Sequence, residues 1–335
     1  MTASLGNPVY TVIIKADGTE YNLSNVFESL SFTDQQKQFA QSVTIQIANQ
    51  EVNGSWLSSL LKVRSRVFIY ADDGTTKAEV FRGFVWTRSY GSANDGKCLT
   101  LKCYDHLIYM QESEDYRFFA SGRSTEDVIN SICKDWGVNL DYSYSSITNS
   151  QLVLRGNLAD IFTADVLDLV KKRTGKKYVI RSEKDVMKIM HVGKNATVYH
   201  LKRKENVINT SSECTMDGMI TKVIILGKEE KNERAPVEGT AKGDTATYGT
   251  LQKVINKSEN ESLADAQKEA QSLIDENGKP KWTYEVEAVD IPWIRKGDKV
   301  YVNAGDMVDK NYIVIGVDRA ISNSRKTMVL TVENE

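Results

Sequence analysis

The chain has 335 residues, 41% of them apolar, and its 43 basic and 45 acidic side chains leave a formal charge of −2. That length suggests two or three domains with sizeable cores, and the balanced charge excludes the basic footprint with which a protein binds nucleic acid or an anionic membrane. No window approaches the roughly 20 apolar residues of a membrane span, and the first residues lack a basic stretch followed by an apolar one, so folding in the cytoplasm is expected.

Residues 9–14 alternate as a strand, Ala16, Asp17 and Gly18 form a hairpin turn, and 19–23 is the partner strand. Residues 26–32 and 41–48 follow as alternating strands, with Val43, Ile45 and Ile47 on one face. A short helical turn is expected over 55–61. Residues 67–104 then read as a β-meander that passes through Asn94, Asp95 and Gly96 into a strand carrying Leu99, Leu101 and Cys103. The expectation for residues 1–110 is a small β-barrel of about seven strands.

The middle, residues 111–203, changes grammar. Ser124 or Thr125 can cap a helix whose apolar residues Val128, Ile129, Ile132, Cys133 and Trp136 recur at helical spacing and which Gly137 terminates. The pattern returns from Thr163 through Val166, Leu167, Leu169 and Val170 to Gly175. Each helix is followed by a strand, at 138–142 and 177–181, and 185–191 pairs back as a hairpin. A small α+β insert built from two helix–strand units is predicted.

Residues 204–335 return to strands. The segment 220–226 is rich in β-branched residues, and 228–260 is read as a polar loop, too poor in apolar side chains to offset its ordering entropy. A surface helix is expected over 262–277, with Leu263, Ala266, Ala270 and Leu273 or Ile274 on its buried stripe. Strand 282–289 and a second meander (299–302, 312–317, 328–332) follow. This second meander repeats the first. From Val67 to Gly83 and from Val300 to Gly316 the spacing is the same, 83 − 67 = 316 − 300 = 16. At that offset Ala71, Asp73 and Lys77 meet Ala304, Asp306 and Lys310. The predicted fold is mainly β: two related small β-barrels flanking an α+β insert, with Gly83 and Gly316 equivalent.

Chemistry is sparse. Cys98, Cys103, Cys133 and Cys214 have no C-x-x-C spacing and are read as reduced, buried apolar side chains. His106 follows Asp105, but neighbours on a strand point apart, and no nucleophile motif accompanies them. His191 and His200 lack a third ligand at recognisable spacing. There is no phosphate loop, G-x-S-x-G or H-E-x-x-H. Carboxylate pairs such as Glu112/Glu114 and Glu229/Glu230 are read as solvated. The aromatic residues Trp86, Tyr90, Tyr104, Tyr109, Tyr116, Phe118 and Phe119 are placed around the end of the first barrel, as packing or as a sugar platform. No catalytic, cofactor-binding or metal-ligating residue is assigned, and the chain is expected not to be an enzyme.

Certain stretches carry a resemblance. They are the run from Cys103 to Tyr109, the run from Phe119 to Ile129, Ser262 to Gln267, Ile294 to Val300 and Tyr312 to Val317, in that order around the insert. In this order the chain resembles the baseplate hub of contractile phage tails, in the branch of Gram-positive prophages and phage-tail-like bacteriocins. The resemblance implies tail-tube-like barrels and a homotrimer joining a six-fold tail tube to a three-fold spike. The implied partners are tube, spike and baseplate wedge or LysM-type proteins, within a virion or bacteriocin baseplate. Two other readings come from different classes: a tail-tip peptidoglycan hydrolase and a carbohydrate-binding β-module.

Overall fold

The computed structural model describes residues 7–93, 96–142, 146–228, 234–257 and 262–335. The chain forms two units, Met1–Ser211 with Tyr284–Glu335, and Ser212–Thr283.

In the first unit, β1 (Val9–Ala16) and β2 (Thr19–Asn22) form the expected hairpin; β3 (Phe27–Gln35) and β4 (Ser42–Ala48) follow. A two-residue hairpin, β5 (Glu51–Val52) and β6 (Ser55–Trp56), leads into the short helix α1 (Leu57–Leu60). The meander is β7 (Arg66–Asp72), β8 (Lys77–Ala93) and β9 (Gly96–Tyr104). Alternate residues point inward, so Val12, Ile14, Leu30, Phe32, Val43, Ile45, Val67, Ile69, Leu99 and Leu101 make one core.

The middle region has its own core. Helix α2 (Ile108–Gln111) is followed by β10 (Glu114–Phe119), α3 (Thr125–Asp135), β11 (Asn139–Tyr142) and β12 (Leu152–Asn157). Ser124 caps α3 through a capping box with Asp127. The second helix differs from expectation. It begins at Asn157, whose side chain accepts from the Ala159 N–H, and runs through α4 (Leu158–Asp160), a π-helical stretch (Ile161–Leu167) and α5 (Asp168–Thr174). Thr163 is therefore interior, its hydroxyl donating back to the Ala159 carbonyl at 2.7 Å. Strands β13 (Tyr178–Glu183) and β14 (Val186–His191) pair antiparallel, and β11 joins β14 in parallel. Leu107, Ile108 and Met110, assigned by pattern to the first barrel, pack into this second core with Phe39, Ile129 and Phe162.

The second meander lies within the same unit. Strand β15 (Tyr199–Lys202), read from sequence as part of the insert, runs parallel to the later strand 299–304, and its Leu201 enters a third core. Strand β16 (Val207–Thr215) leads towards the second unit. There β17 (Lys222–Leu226) is flanked by antiparallel β18 (Val237–Lys242) and parallel β19 (Gln252–Asn256), with helices α6 (Thr245–Tyr248) and α7 (Leu263–Asn277). The stretch read as a polar loop over 228–260 thus holds two strands and a short helix among its described residues. Its strands are mostly exposed and are held by main-chain pairing to the apolar β17, with Ala241 and Ile255 alone packing against its core. Ala266, Ala270 and Ile274 of α7 cover Val223 and Ile225, whereas Leu263 is exposed.

The chain then closes with β20 (Lys281–Val289), β21 (Lys299–Ala304), β22 (Met307–Ser322) and β23 (Lys326–Asn334). β21 pairs β22 and β22 pairs β23, the connectivity of β7, β8 and β9. Both long strands bulge once against the third strand, at Trp86 between Val85 and Thr87 and at Ile315 between Val314 and Gly316. The bulges fix the alignment. Val85, Trp86 and Thr87 answer Val314, Ile315 and Gly316, and Leu101 answers Leu330, since each lies opposite the matching residue, Arg88 or Val317. Val67 pairs with Gly83, whereas Val300 pairs with Tyr312. Gly83 therefore corresponds to Tyr312, and the equivalence of Gly83 with Gly316 is wrong. The intervening spans are 83 − 67 = 16 and 312 − 300 = 12, so the first hairpin carries four extra residues at its turn. The two glycines serve separate close approaches. A Cβ at Gly83 would lie 2.0 Å from the Tyr104 carbonyl oxygen, and one at Gly316 would lie 2.0 Å from the Gln35 side chain.

The two meanders are fused. β22 pairs antiparallel with β3, from Gly316 opposite Gln35 to Ser322 opposite Ser29, so a thirteen-stranded sheet runs through both. Ile321 of β22 enters the first core, and Trp293 packs against both the first and the third.

Candidate functional site: a buried charged junction

The segment 290–298, between β20 and β21, is where the parts of the first unit meet. It reads Asp-Ile-Pro-Trp-Ile-Arg-Lys-Gly-Asp. Three groups of buried polar contacts hold it.

The first group centres on Asp34, which is fully buried on the inward face of β3 beyond Leu30 and Phe32. Arg295 Nε donates to its Oδ2 at 2.6 Å, and Lys296 Nζ stands 3.3 Å from Oδ1. Lys296, itself 2% exposed, also donates to the Gln38 carbonyl at 2.7 Å. Burial alone would push the Asp34 carboxyl up, but the charges of Arg295 and Lys296 and the Arg295 hydrogen bond hold it well below the carboxylate range. The second group brings in β13: Arg181 Nη2 donates to Asp298 Oδ1 and Arg181 Nε to the Lys296 carbonyl, each at 2.7 Å. Asp298 Oδ2 in turn accepts from the Arg295 N–H at 2.8 Å. The third group joins the barrels' far sides. Tyr10 of β1 donates to Asp290, and Arg319 of β22 donates to Asp290 at 3.0 Å and to the carbonyls of Ile291, Pro292 and Ile294. Burial raises the Asp290 carboxyl, while Arg319 and Tyr10 pull it down. Trp293 Nε1 donates to Asp73 in the β7–β8 turn at 2.8 Å.

Each charge is thus paired with fixed partners from β1, β3, β13, β22 and the β7–β8 turn, although among the described residues Asp34 Oδ1 and Arg295 Nη2 are buried without a hydrogen-bond partner. Their chemistry is cohesion. Removing any one carboxylate leaves buried cations uncompensated. Sequence reading passed over these residues although a signal was present. Asp34 and Arg319 each occupy an inward slot of an alternating strand, in Leu30-x-Phe32-x-Asp34 and Val317-x-Arg319-x-Ile321. A charge there must find a buried partner.

The residues weighed from sequence are dispersed. Asp105 accepts from the Gln41 and Leu107 N–H groups, each at 2.9 Å, and burial pushes its carboxyl up to about 7. His106 Nδ1 lies 2.8 Å from Ser182 Oγ, its Nε2 is buried without a hydrogen-bond partner among the described residues, and burial lowers its pKa. His191 Nδ1 meets the Val192 carbonyl, and His200 stacks near Tyr301. Cys103 and Cys133 are buried as expected, but Cys98 is half-buried and Cys214, on β16, is exposed. Trp86, Tyr104 and Tyr109 pack edge-to-face, Phe119 joins the middle core, and Tyr116 and Phe118 stand exposed on β10. They do not form one platform. Among the described residues no helix is long and apolar enough to cross a membrane.

Residues 14–333 match the YQBQ-like family. The chain belongs to it. Its sequence is 24% identical over 259 residues to the phage-like element PBSX protein XkdQ of Bacillus subtilis, covering 76% of this chain and 78% of that protein. The fold is that of the 43 kDa tail protein of prophage MuSo2 from Shewanella oneidensis, with a TM-score of 0.72 at 14% identity over 97% of this chain and 98% of that one. It is also similar to the Escherichia coli c3393 protein, with a TM-score of 0.56 at 9% identity over 96% of this chain and 76% of the other. That protein is described as a type VI secretion component with structural similarity to the T4 tail proteins gp27 and gp5.

Proposed function

We propose that this YQBQ-like chain is the structural hub of a contractile-tail or bacteriocin baseplate, a homotrimer that adapts a six-fold tail tube to a three-fold spike. The observation that carries this reading is the pair of meanders with one connectivity and one bulge position, fused into a single sheet by β3 and β22. Two such modules in each of three copies give 2 × 3 = 6, so a three-fold ring presents a pseudo-six-fold face. The likeness to prophage tail proteins supports the setting, and the c3393 protein's described similarity to gp27 and gp5 supports a place between tube and spike. The partners are further copies of the chain, tube and spike proteins, and wedge or LysM-type baseplate proteins.

The function is mechanical. A hub that seats a driven tube must keep its two barrels in fixed register under load, and the junction at 290–298 supplies that rigidity through buried charge pairs and strand pairing. The test is an image of the assembled tail. Three copies around the axis, inside the baseplate and between tube and spike, are expected. One copy, six copies or a peripheral position overturns the adaptor. A zymogram on peptidoglycan should show intact substrate; clearing would return the hydrolase reading.

A further inference from the structure

The internal duplication identifies what belongs along two strand edges that the single chain leaves open. In β22 the residues before the bulge pair with β21, and residues 316–322 offer the same edge to β3. In β8 the residues before the bulge pair with β7, and the Val85 N–H and carbonyl are taken by Ser65 and Arg64. After the bulge, residues 87–93 continue beside β9, but among the described residues no strand pairs their other edge. These residues occupy the slots of 316–322. Their exposure reflects the missing neighbour. Thr87, Arg88, Ser89, Tyr90 and Gly91 are all exposed, whereas Gly316, Val317 and Arg319 are buried.

The strand that answers β3 is β16. β4 answers β20, since Ile45 lies opposite Leu101 and Val286 opposite Leu330. β3 neighbours β4, and β16 neighbours β20 at the end of the sheet, each nine residues long. Ser31 faces Thr44, and the Ser211 hydroxyl donates to Glu285 at 3.4 Å, Thr44 and Glu285 being equivalent positions. Ser211 therefore answers Ser31, and Ser212 and Cys214 answer Phe32 and Asp34. Phe32 and Asp34 are buried under β22; Ser212 and Cys214 are exposed. One edge of β16 is open among the described residues.

We infer that residues 87–93 of β8 in one copy receive β16 of a second copy as an antiparallel strand, in the register β22 uses for β3. Arg88 lies opposite Cys214, Ser89 opposite Glu213, Tyr90 opposite Ser212 and Gly91 opposite Ser211. The contact is heterologous, donor edge to acceptor edge, so it closes only as a ring. In a trimer the joints within and between copies alternate and are alike in backbone geometry. It also removes the two edges that would otherwise template promiscuous pairing. The inference rests on the ring proposed above and adds the seam.

The test is disulfide trapping in purified tails. Arg88→Cys is placed against the native Cys214; in a second variant Ser89→Cys and Glu213→Cys are combined with Cys214→Ala. Neighbouring pairs alternate between hydrogen-bonded and non-hydrogen-bonded sites, so one of the two variants places its sulfurs within bonding reach. After mild oxidation, non-reducing gels are expected to show most of the hub as a covalent three-copy species in at least one variant. Adding Cys214→Ala to Arg88→Cys should abolish it. A map of wild-type tails reads the same register without substitution, with the Cα atoms of Arg88 and the neighbour's Cys214 about 4.5–5.5 Å apart. Three copies in the ring with no crosslink and another register in the map overturn the seam and leave the hub standing. A copy number other than three, or absence from tails, overturns both.

Discussion

Replacing Asp34 by alanine removes the carboxylate that ion-pairs with both Arg295 and Lys296. Nothing else in the junction is altered, and the side chain lost is fully buried. Breaking a buried ion pair by deleting one partner costs about 3–5 kcal/mol, because the remaining charge has neither water nor a counter-ion. The first unit spans roughly 260 residues, and domains near that size shift by about 2–4 °C per kcal/mol, so Tm should fall by ~6–20 °C. The assay is calorimetric unfolding at pH 7, with near-UV circular dichroism to show that the variant is folded at 20 °C. Lys62→Ala is the control: Lys62 and Asp17 pair at 2.6 Å, but their side chains are 58% and 72% exposed. An exposed pair contributes about 0–1 kcal/mol, so that variant should move by no more than ~4 °C. Adding Lys296→Met to Asp34→Ala should restore part of the loss. If Asp34→Ala and Lys62→Ala shift Tm equally, the junction is hydrated and the cohesive role assigned to it is wrong.

Acid should reveal the same pair. The Asp34 carboxyl is held below its unfolded value, so its contribution is present above about pH 4 and is lost as pH falls through the folded pKa; urea midpoints of wild type and Asp34→Ala should converge on acidification. Asp105 has the opposite sign: with its folded pKa near 7, its contribution is full below about pH 4 and lost by pH 7, so Asp105→Asn should gain on wild type across that window. Gly83→Ala forces a Cβ against the Tyr104 backbone, and Gly316→Ala against the movable Gln35 side chain, so Gly83→Ala should be the more destabilising of the two by chemical denaturation. Ser124→Ala deletes the capping box of α3 and should cost about 1 kcal/mol in the same measurement.

The β-meanders were legible in the sequence because period-two alternation is set by burial on one face, and that pattern survives changes of residue type. Their register was not legible. Identical residues at one offset aligned Gly83 with Gly316, whereas the bulges at Trp86 and Ile315 set an alignment four residues away beyond the turn. A turn of different length does not disturb alternation, so the pattern cannot report it. The strands Val237–Lys242 and Gln252–Asn256 were missed for the converse reason: their support is main-chain pairing to β17, and pairing leaves little trace in side-chain hydropathy. The charged junction lay between these cases. Asp34 and Arg319 broke the apolar alternation visibly, but their partners lie 261 and 29 residues away, and only folding brings them together.

Pairing β3 with β22 also sets an order of events during synthesis. The first barrel emerges from the ribosome early, yet its core includes Ile321 and its Asp34 waits for Arg295 and Lys296. Until the last eighth of the chain arrives, β3 presents a bare edge and an unneutralised inward acid. Such non-local closure is slow, and exposed edges invite association. A nascent chain is therefore incomplete as a building block until β22 docks. A fragment ending before residue 316 would carry an open seam of its own, liable to capture the wrong strand.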